Sequence, residues 1–115
     1  MHRLCVHKNL HPNGEFMTKR DRNRLDREVS KRVRSRGRCE RCGERDPFRL
    51  QCCHIFSRRY SKLRHDEENL LCLCAACHFW SHSNPVLFTL YVQGYLGAEK
   101  FQRLLDKRND ITKGA

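Results

Sequence analysis

No apolar run in this 115-residue sequence approaches the roughly 20 residues needed to cross a bilayer. No membrane-spanning helix is expected, and no membrane partner. The first residues, MHRLCVHKNLHPNGEF, lack the apolar stretch of a secretory signal, so the expected location is the cytoplasm. Acidic residues are scarce: 13 Asp and Glu stand against 24 Lys and Arg, for a formal net charge of +11. That excess favours a polyanionic partner, for which nucleic acid is the default. Neither an internal repeat nor a low-complexity linker is present. The expected organisation is an N-terminal arm over 1–17 and a single domain over 18–115.

Cysteine, by contrast, is abundant, with eight in a small chain. Such a count means disulfides or metal. With no export signal the reducing cytosol is expected, where thiols seldom stay paired. Two Cys-x-x-Cys pairs, Cys39 with Cys42 and Cys74 with Cys77, are separated by 31 residues. That arrangement is a zinc signature, and zinc is favoured over a disulfide framework. A core this small also needs a staple, which a structural Zn²⁺ would provide.

The arm contains Cys5, His7 and His11, with a turn at Pro12-Asn13-Gly14, and reads as irregular chain. Residues 18–36 read as a helix: Thr18 can cap it, Gly37 can end it, and no Gly or Pro interrupts it. Leu25, Val29 and Val33 give a narrow apolar stripe. From Lys19 to Arg41 there are eleven basic and four acidic residues, so most of the excess charge lies in a fifth of the chain. Arg27, Lys31 and Arg34 on this helix are expected to meet phosphates.

After the first knuckle, 48–55 is expected as a short strand, 56–69 as a polar loop and 70–73 as an antiparallel partner strand. Residues 75–83 fit a short helix. Asn84 as N-cap and Pro85 at the first helical position restart the chain, giving helices over 85–96 and 98–109 that are split at Gly97. Phe88, Tyr91, Val92, Tyr95, Phe101, Leu104 and Leu105 read as core, as do Cys72 and Trp80.

The chemistry concentrates in Cys53-His54, Asn69, Cys74-Ala-Ala-Cys77-His78 and His82. A histidine pair four apart on a helix points two imidazoles the same way, about 6 Å apart, as joint metal ligation requires. Alone, such a pair is commonly incidental; beside a thiolate pair and downstream of a strand histidine it is not.

Together these residues resemble the HNH endonucleases, whose catalytic unit is a ββα-metal finger. His54, Asn69 and His78 carry the match, framed by the two Cys-x-x-Cys pairs, over about residues 38–83. The wording CHIFSRRY…LRHDEENLLCLCAACHFWSH is similar to small phage and prophage HNH proteins, and more loosely to the recombination-associated NinG (Rap) proteins. The resemblance implies an α+β fold: a zinc-stapled ββα core with a basic N-terminal helix and two C-terminal helices. It implies metal-dependent hydrolysis of a DNA phosphodiester, in a bacterial cytoplasm if the chain is phage-encoded. His54 matches the general base. His78 and His82 match ligands of one divalent catalytic metal (Mg²⁺, Mn²⁺, Ni²⁺ or Zn²⁺). Asn69 matches the residue that pins the loop between the strands. Cys39, Cys42, Cys74 and Cys77 match the structural zinc ligands.

One departure stands out, because Cys53 occupies a position where the family commonly has a metal-ligating Asp or His. Thiolate suits Zn²⁺ and not Mg²⁺, so Cys53 is either a buried filler or the sign of a softer metal. On a strand, Cys52 shares the side of His54 and Cys53 faces the other way. Arg58, Arg59, Lys62 and Arg64 lie in the intervening loop and are expected at phosphate oxygens, where the Arg fork binds bidentately. His65, in the same loop, is expected to be exposed. The alternative is a non-catalytic zinc module that only binds nucleic acid; it explains the thiolates and charge but not the four-residue set His54, Asn69, His78 and His82. A protein-interaction adaptor explains neither.

Overall fold

Thr18 opens the first element by accepting the Asp21 amide on its hydroxyl at 3.0 Å, which satisfies one of the orphan N–H groups of a helix start. The computed structural model describes residues 17–110. The arm expected over 1–17, with Cys5, His7 and His11, lies outside the described residues except for Met17, which is buried. Helix α1 (Lys19–Arg34) buries Val29 and Val33. Leu25 is only half-buried, so the apolar stripe narrows toward the helix start. The chain leaves α1 through Gly37, whose φ of 86° is one that a side chain would strain.

Strands β1 (Leu50–His54) and β2 (Leu70–Cys74) form a two-stranded antiparallel sheet with Cys52 opposite Cys72 and His54 opposite Leu70. The first strand is shorter than expected. Pro47–Arg49 form a single 3-10 turn because the Asp46 carboxylate accepts the Phe48 amide at 3.0 Å, and Phe48 is 97% exposed. Every residue of β2 is buried. Its backbone is partnered beyond β1 by the first knuckle: Glu40 N–H donates to Cys72 O at 2.8 Å, and Cys72 N–H donates to the Glu40 carboxylate at 2.7 Å. An otherwise open sheet edge is thus covered.

Between the strands, 56–69 is not wholly loop: a four-residue helix, α2 (Ser61–Arg64), buries Leu63, and Glu67–Asn69 form a second 3-10 turn. Helix α3 (Ala75–Ser83) follows β2 directly, with Cys74 as its cap. Helices α4 (Pro85–Leu96) and α5 (Ala98–Asn109) are split at Gly97, φ 88°. Asn84 does not cap α4 with its side chain; its amide donates backwards to Trp80 O at 3.1 Å, closing α3. Phe88, Val92 and Leu104 are buried, whereas Tyr91, Phe101 and Leu105 are half-buried and Tyr95 is exposed. Trp80 packs edge-on against Phe88 and Tyr91, with the Arg41 guanidinium 3.6 Å above its ring.

The architecture is therefore α+β: helices around a small antiparallel hairpin, with α3 continuing from the second strand. Among the described residues, no helix is long and apolar enough to cross a membrane.

Candidate active site

The four knuckle sulfurs, Cys39, Cys42, Cys74 and Cys77, have their Sγ atoms all within 4.8 Å of one another. The Cys42–Cys74 pair is 3.6 Å apart, close to the edge of about 3.8 Å expected for tetrahedral sulfur at about 2.3 Å from Zn²⁺. Both knuckles turn their backbone onto their own sulfur, with Cys42 N–H and Cys77 N–H each 3.4 Å from the Sγ three residues earlier. Gly43, φ 85°, permits the first of these turns. Burial works against the Cys39 thiolate, yet the amides of Cys42, Cys74 and Arg41 pull its pKa down to about 6. Burial pushes the Cys77 thiol the other way, up to about 12, so the four sulfurs do not ionise together unless a cation sits among them, and the donor set fits zinc.

His54 ends β1, and its ring nitrogen Nε2 is 3.1 Å from Arg64 O. A carbonyl only accepts, so Nε2 carries the proton and Nδ1 keeps the lone pair. Burial lowers the His54 pKa, partly offset by that hydrogen bond, while Arg58 and Arg64 lower it further. The imidazole is accordingly neutral near pH 7.

On α3, His78 Nδ1 donates to Gln51 Oε1 at 2.7 Å, which leaves Nε2 as the free donor atom, the usual second-sphere arrangement of a ligating histidine. The His78 and His82 ring centroids are 4.9 Å apart. Burial, and then the neighbouring His82, lower the His78 pKa, which favours the unprotonated form that a metal requires.

His54, His78 and His82 line one cavity of about 470 Å³, together with Asp26, Val29 and Ser30 of α1, Cys52 of β1 and Ser57, Arg58, Arg64 and His65. Cys52 is on the His54 side, as strand alternation requires. Cys53 is 1% exposed, has its Sγ 3.8 Å from Ser81 Oγ, and is not among the lining residues; burial pushes its thiol up to about 11. It is a packed neutral thiol. Among the described residues, the four cysteines are the only cluster of three or more potential ligands, so a cation at His78 and His82 would draw its remaining ligands from water or substrate.

Asn69 is fully buried. Its Oδ1 accepts the Phe56 amide at 2.9 Å, and its Nδ2 donates to Phe56 O at 2.9 Å and Leu63 O at 3.2 Å. Both ends of the segment between the strands therefore meet on one side chain.

The loop cations divide. Arg58 lines the cavity and is mostly exposed. Arg59 lies over the Tyr60 ring at 5.3 Å, and Lys62 pairs with Asp110 at 3.0 Å; neither lines the cavity. Arg64 is occupied by Asp26 through a bidentate pair at 2.8 and 2.6 Å, leaving less of its fork for a phosphate than the sequence suggests. His65 is not exposed: its ring is largely covered and Nε2 lies 2.7 Å from Asp26. Burial favours the neutral Asp26 carboxyl, but Arg64 and His65 prevail and hold its pKa down at about 2.

Arg27, Lys31 and Arg34 are exposed on α1. At about 100° per residue, Arg27 and Arg34 stand about 60° and 40° around the helix from Ser30, so this basic stripe borders the cavity wall. DNA affinity should fall steeply with salt through displaced counterions, and each neutralised stripe residue that meets a phosphate should flatten the log–log slope by about 1. Fluorescence anisotropy across a salt series checks this; a slope unmoved by replacing all three would remove α1 from the interface.

No curated protein and no solved structure matches the chain. Residues 39–86, which run from the first cysteine knuckle past His54, Asn69, His78 and His82 to the start of α4, match the family model described as HNH endonuclease, and this supports an HNH endonuclease domain in that part of the chain.

Proposed function

We propose that the protein is a metal-dependent endonuclease that hydrolyses DNA phosphodiester bonds, selecting DNA structure or a loose sequence. The observation that carries this reading is the convergence of His54, His78 and His82, from two different elements, on one cavity with Arg58 at its wall. A module that only binds nucleic acid has no use for a strand histidine whose Nδ1 is kept unprotonated beside a helix histidine whose Nε2 is kept free.

In this reading His54 accepts a proton at Nδ1 from the attacking water, and the Arg64 carbonyl steadies the resulting imidazolium through Nε2–H. Asn69 keeps the loop, and so Arg64, in register with the strand end. Arg58 draws a phosphate into the cavity. His78 and His82 would hold the divalent cation, which when bound supplies Lewis-acid stabilisation of the phosphate and the departing 3′ oxygen. Cys39, Cys42, Cys74 and Cys77 would hold a structural zinc with no open position for chemistry. Because side chains on a loop and a helix face reach phosphates more readily than base edges, sequence is read weakly. The product would carry a 5′ phosphate and leave a 3′ hydroxyl, as the resemblance to the HNH endonucleases implies.

The test is cleavage of linear duplex, supercoiled plasmid, flap and four-way junction in Mg²⁺, Mn²⁺, Ni²⁺ and Zn²⁺. Scission of at least one substrate that depends on the added metal is expected. Tight binding of every substrate with no scission in any metal would replace this reading with the zinc-stabilised binding module.

A further inference from the structure

We infer that Asp26, thirteen residues before the matched segment, is a positioning residue for the cleavage proposed above: by clamping Arg64 it fixes the carbonyl that orients His54. The inference rests on that functional reading and adds a helix that the family match does not cover.

Arg64 touches the site twice. Its carbonyl receives His54 Nε2–H at 3.1 Å, and its guanidinium meets both Asp26 oxygens, at 2.8 and 2.6 Å. It is the last residue of α2, a four-residue helix. One turn is too short to be stable by itself, so the place of its terminal carbonyl is set by what grips it from outside. Asn69 grips one carbonyl earlier, at Leu63 O. Asp26 grips Arg64 itself, from a 16-residue helix anchored through Val29 and Val33. The same carboxylate accepts from His65 at 2.7 Å and faces Arg58 at 3.9 Å, so two arginines and a histidine of the loop converge on a single acid of α1.

The sign of that acid argues for positioning over substrate binding. A carboxylate in the wall of a phosphate-accepting cavity repels the substrate, and a cavity shaped for affinity alone would omit it. Its removal should therefore reduce turnover while leaving DNA binding intact or stronger. The charged and titratable groups around His54 are Arg58, Arg64 and His65 from the loop, Asp26 from α1, Cys52 on its own strand, and His78 and His82 from α3. Of these Asp26 is the one anion, and losing it should move the acidic limb of the rate profile to lower pH.

The experiment compares the full chain with Asp26→Asn, Asp26→Glu, Arg64→Lys and the Asp26→Asn/Arg64→Lys double variant. Steady-state cleavage and ¹H–¹⁵N spectra of the His54 imidazole are the readouts. Expected for Asp26→Asn is a fall in kcat of about 10- to 100-fold, the scale for losing a group that orients a reacting side chain, with KM unchanged or lower. His54 should pass from one Nε2–H tautomer to a mixture. Asp26→Glu should recover part of the loss, and the double variant should be no worse than the poorer single one, because both break one contact. Should Asp26→Asn fail to fold, Arg64→Lys, which keeps the charge and loses the fork, carries the same expectation. An active parent whose Asp26→Asn variant keeps its turnover and its tautomer overturns the inference, as does strict additivity in the double variant. A parent that cuts nothing overturns the nuclease reading instead.

Discussion

His54→Ala should fold and bind DNA like the parent while its cleavage rate falls by about 10²-fold or more, the usual contribution of a positioned general base. His54 is half-buried at the end of a strand, so truncation removes contacts on the cavity side only, and melting should shift little. The parent itself should lose activity as pH falls through the His54 pKa, which lies below the ordinary 6.5 because burial and the cations Arg58 and Arg64 disfavour imidazolium. The sign follows from the role: the neutral ring is the base, so activity is full above that pKa and lost below it. In His54→Ala this limb should vanish with the bulk of the rate. Single-turnover cleavage between pH 5 and 8 decides the matter; equal rates for variant and parent would take His54 out of the mechanism.

Cys42→Ser should act on the whole fold. The parent is expected to retain one zinc per chain through dialysis and to melt cooperatively. Its Cys42 and Cys74 sulfurs lie 3.6 Å apart across 32 residues of sequence, and the apparent binding energy of structural zinc sites, about 10–16 kcal/mol, is folding energy. Glu40, inside the first knuckle, also holds the β2 edge through Cys72, receives Arg36 at 2.7 Å, and accepts the Tyr95 hydroxyl at 2.7 Å. Loss of the metal therefore loosens α1, β2 and α4 together. Metal analysis and thermal melting of Cys42→Ser, beside the parent treated with chelator, should both show a zinc-free chain with no sharp transition. A variant that keeps both zinc and a sharp transition would dismiss the staple.

Much of the scaffold is written locally. Thr18, Pro85 and Gly97 punctuate the chain with chemistry that depends only on near neighbours, and the helices over 75–83, 85–96 and 98–109 lie where the sequence puts them. Local signals fail where a side chain chooses a different neighbour: Asp46 pulls residues 47–49 out of the expected strand, and Asn84 turns back to Trp80 rather than forward onto α4. Helix α2 is too short to show a period. The site is legible as an inventory and less so as a circuit. His54, His78 and His82 could be named from spacing, but the Asp26 contacts to Arg64 and His65 span 38 and 39 residues. Only one faint signal exists for them: Asp26 is an acid in a basic helix, three residues before buried Val29.

The way Asn69 closes the segment between the strands has a consequence for how the proposed nuclease would diversify. Ile55 N–H donates to Asn69 O at 2.8 Å, and Phe56 exchanges two further bonds with the Asn69 amide, so the segment has a locked neck and a tip at Ser57–Tyr60. Lengthening a tip whose neck is fixed costs little, about 0.6 kcal/mol for each doubling of a flexible loop. On the proposed nuclease reading, insertions there would reshape the DNA-facing rim while the hairpin and its histidine stay in place. Target preference and hydrolytic chemistry would then be free to change on separate timetables.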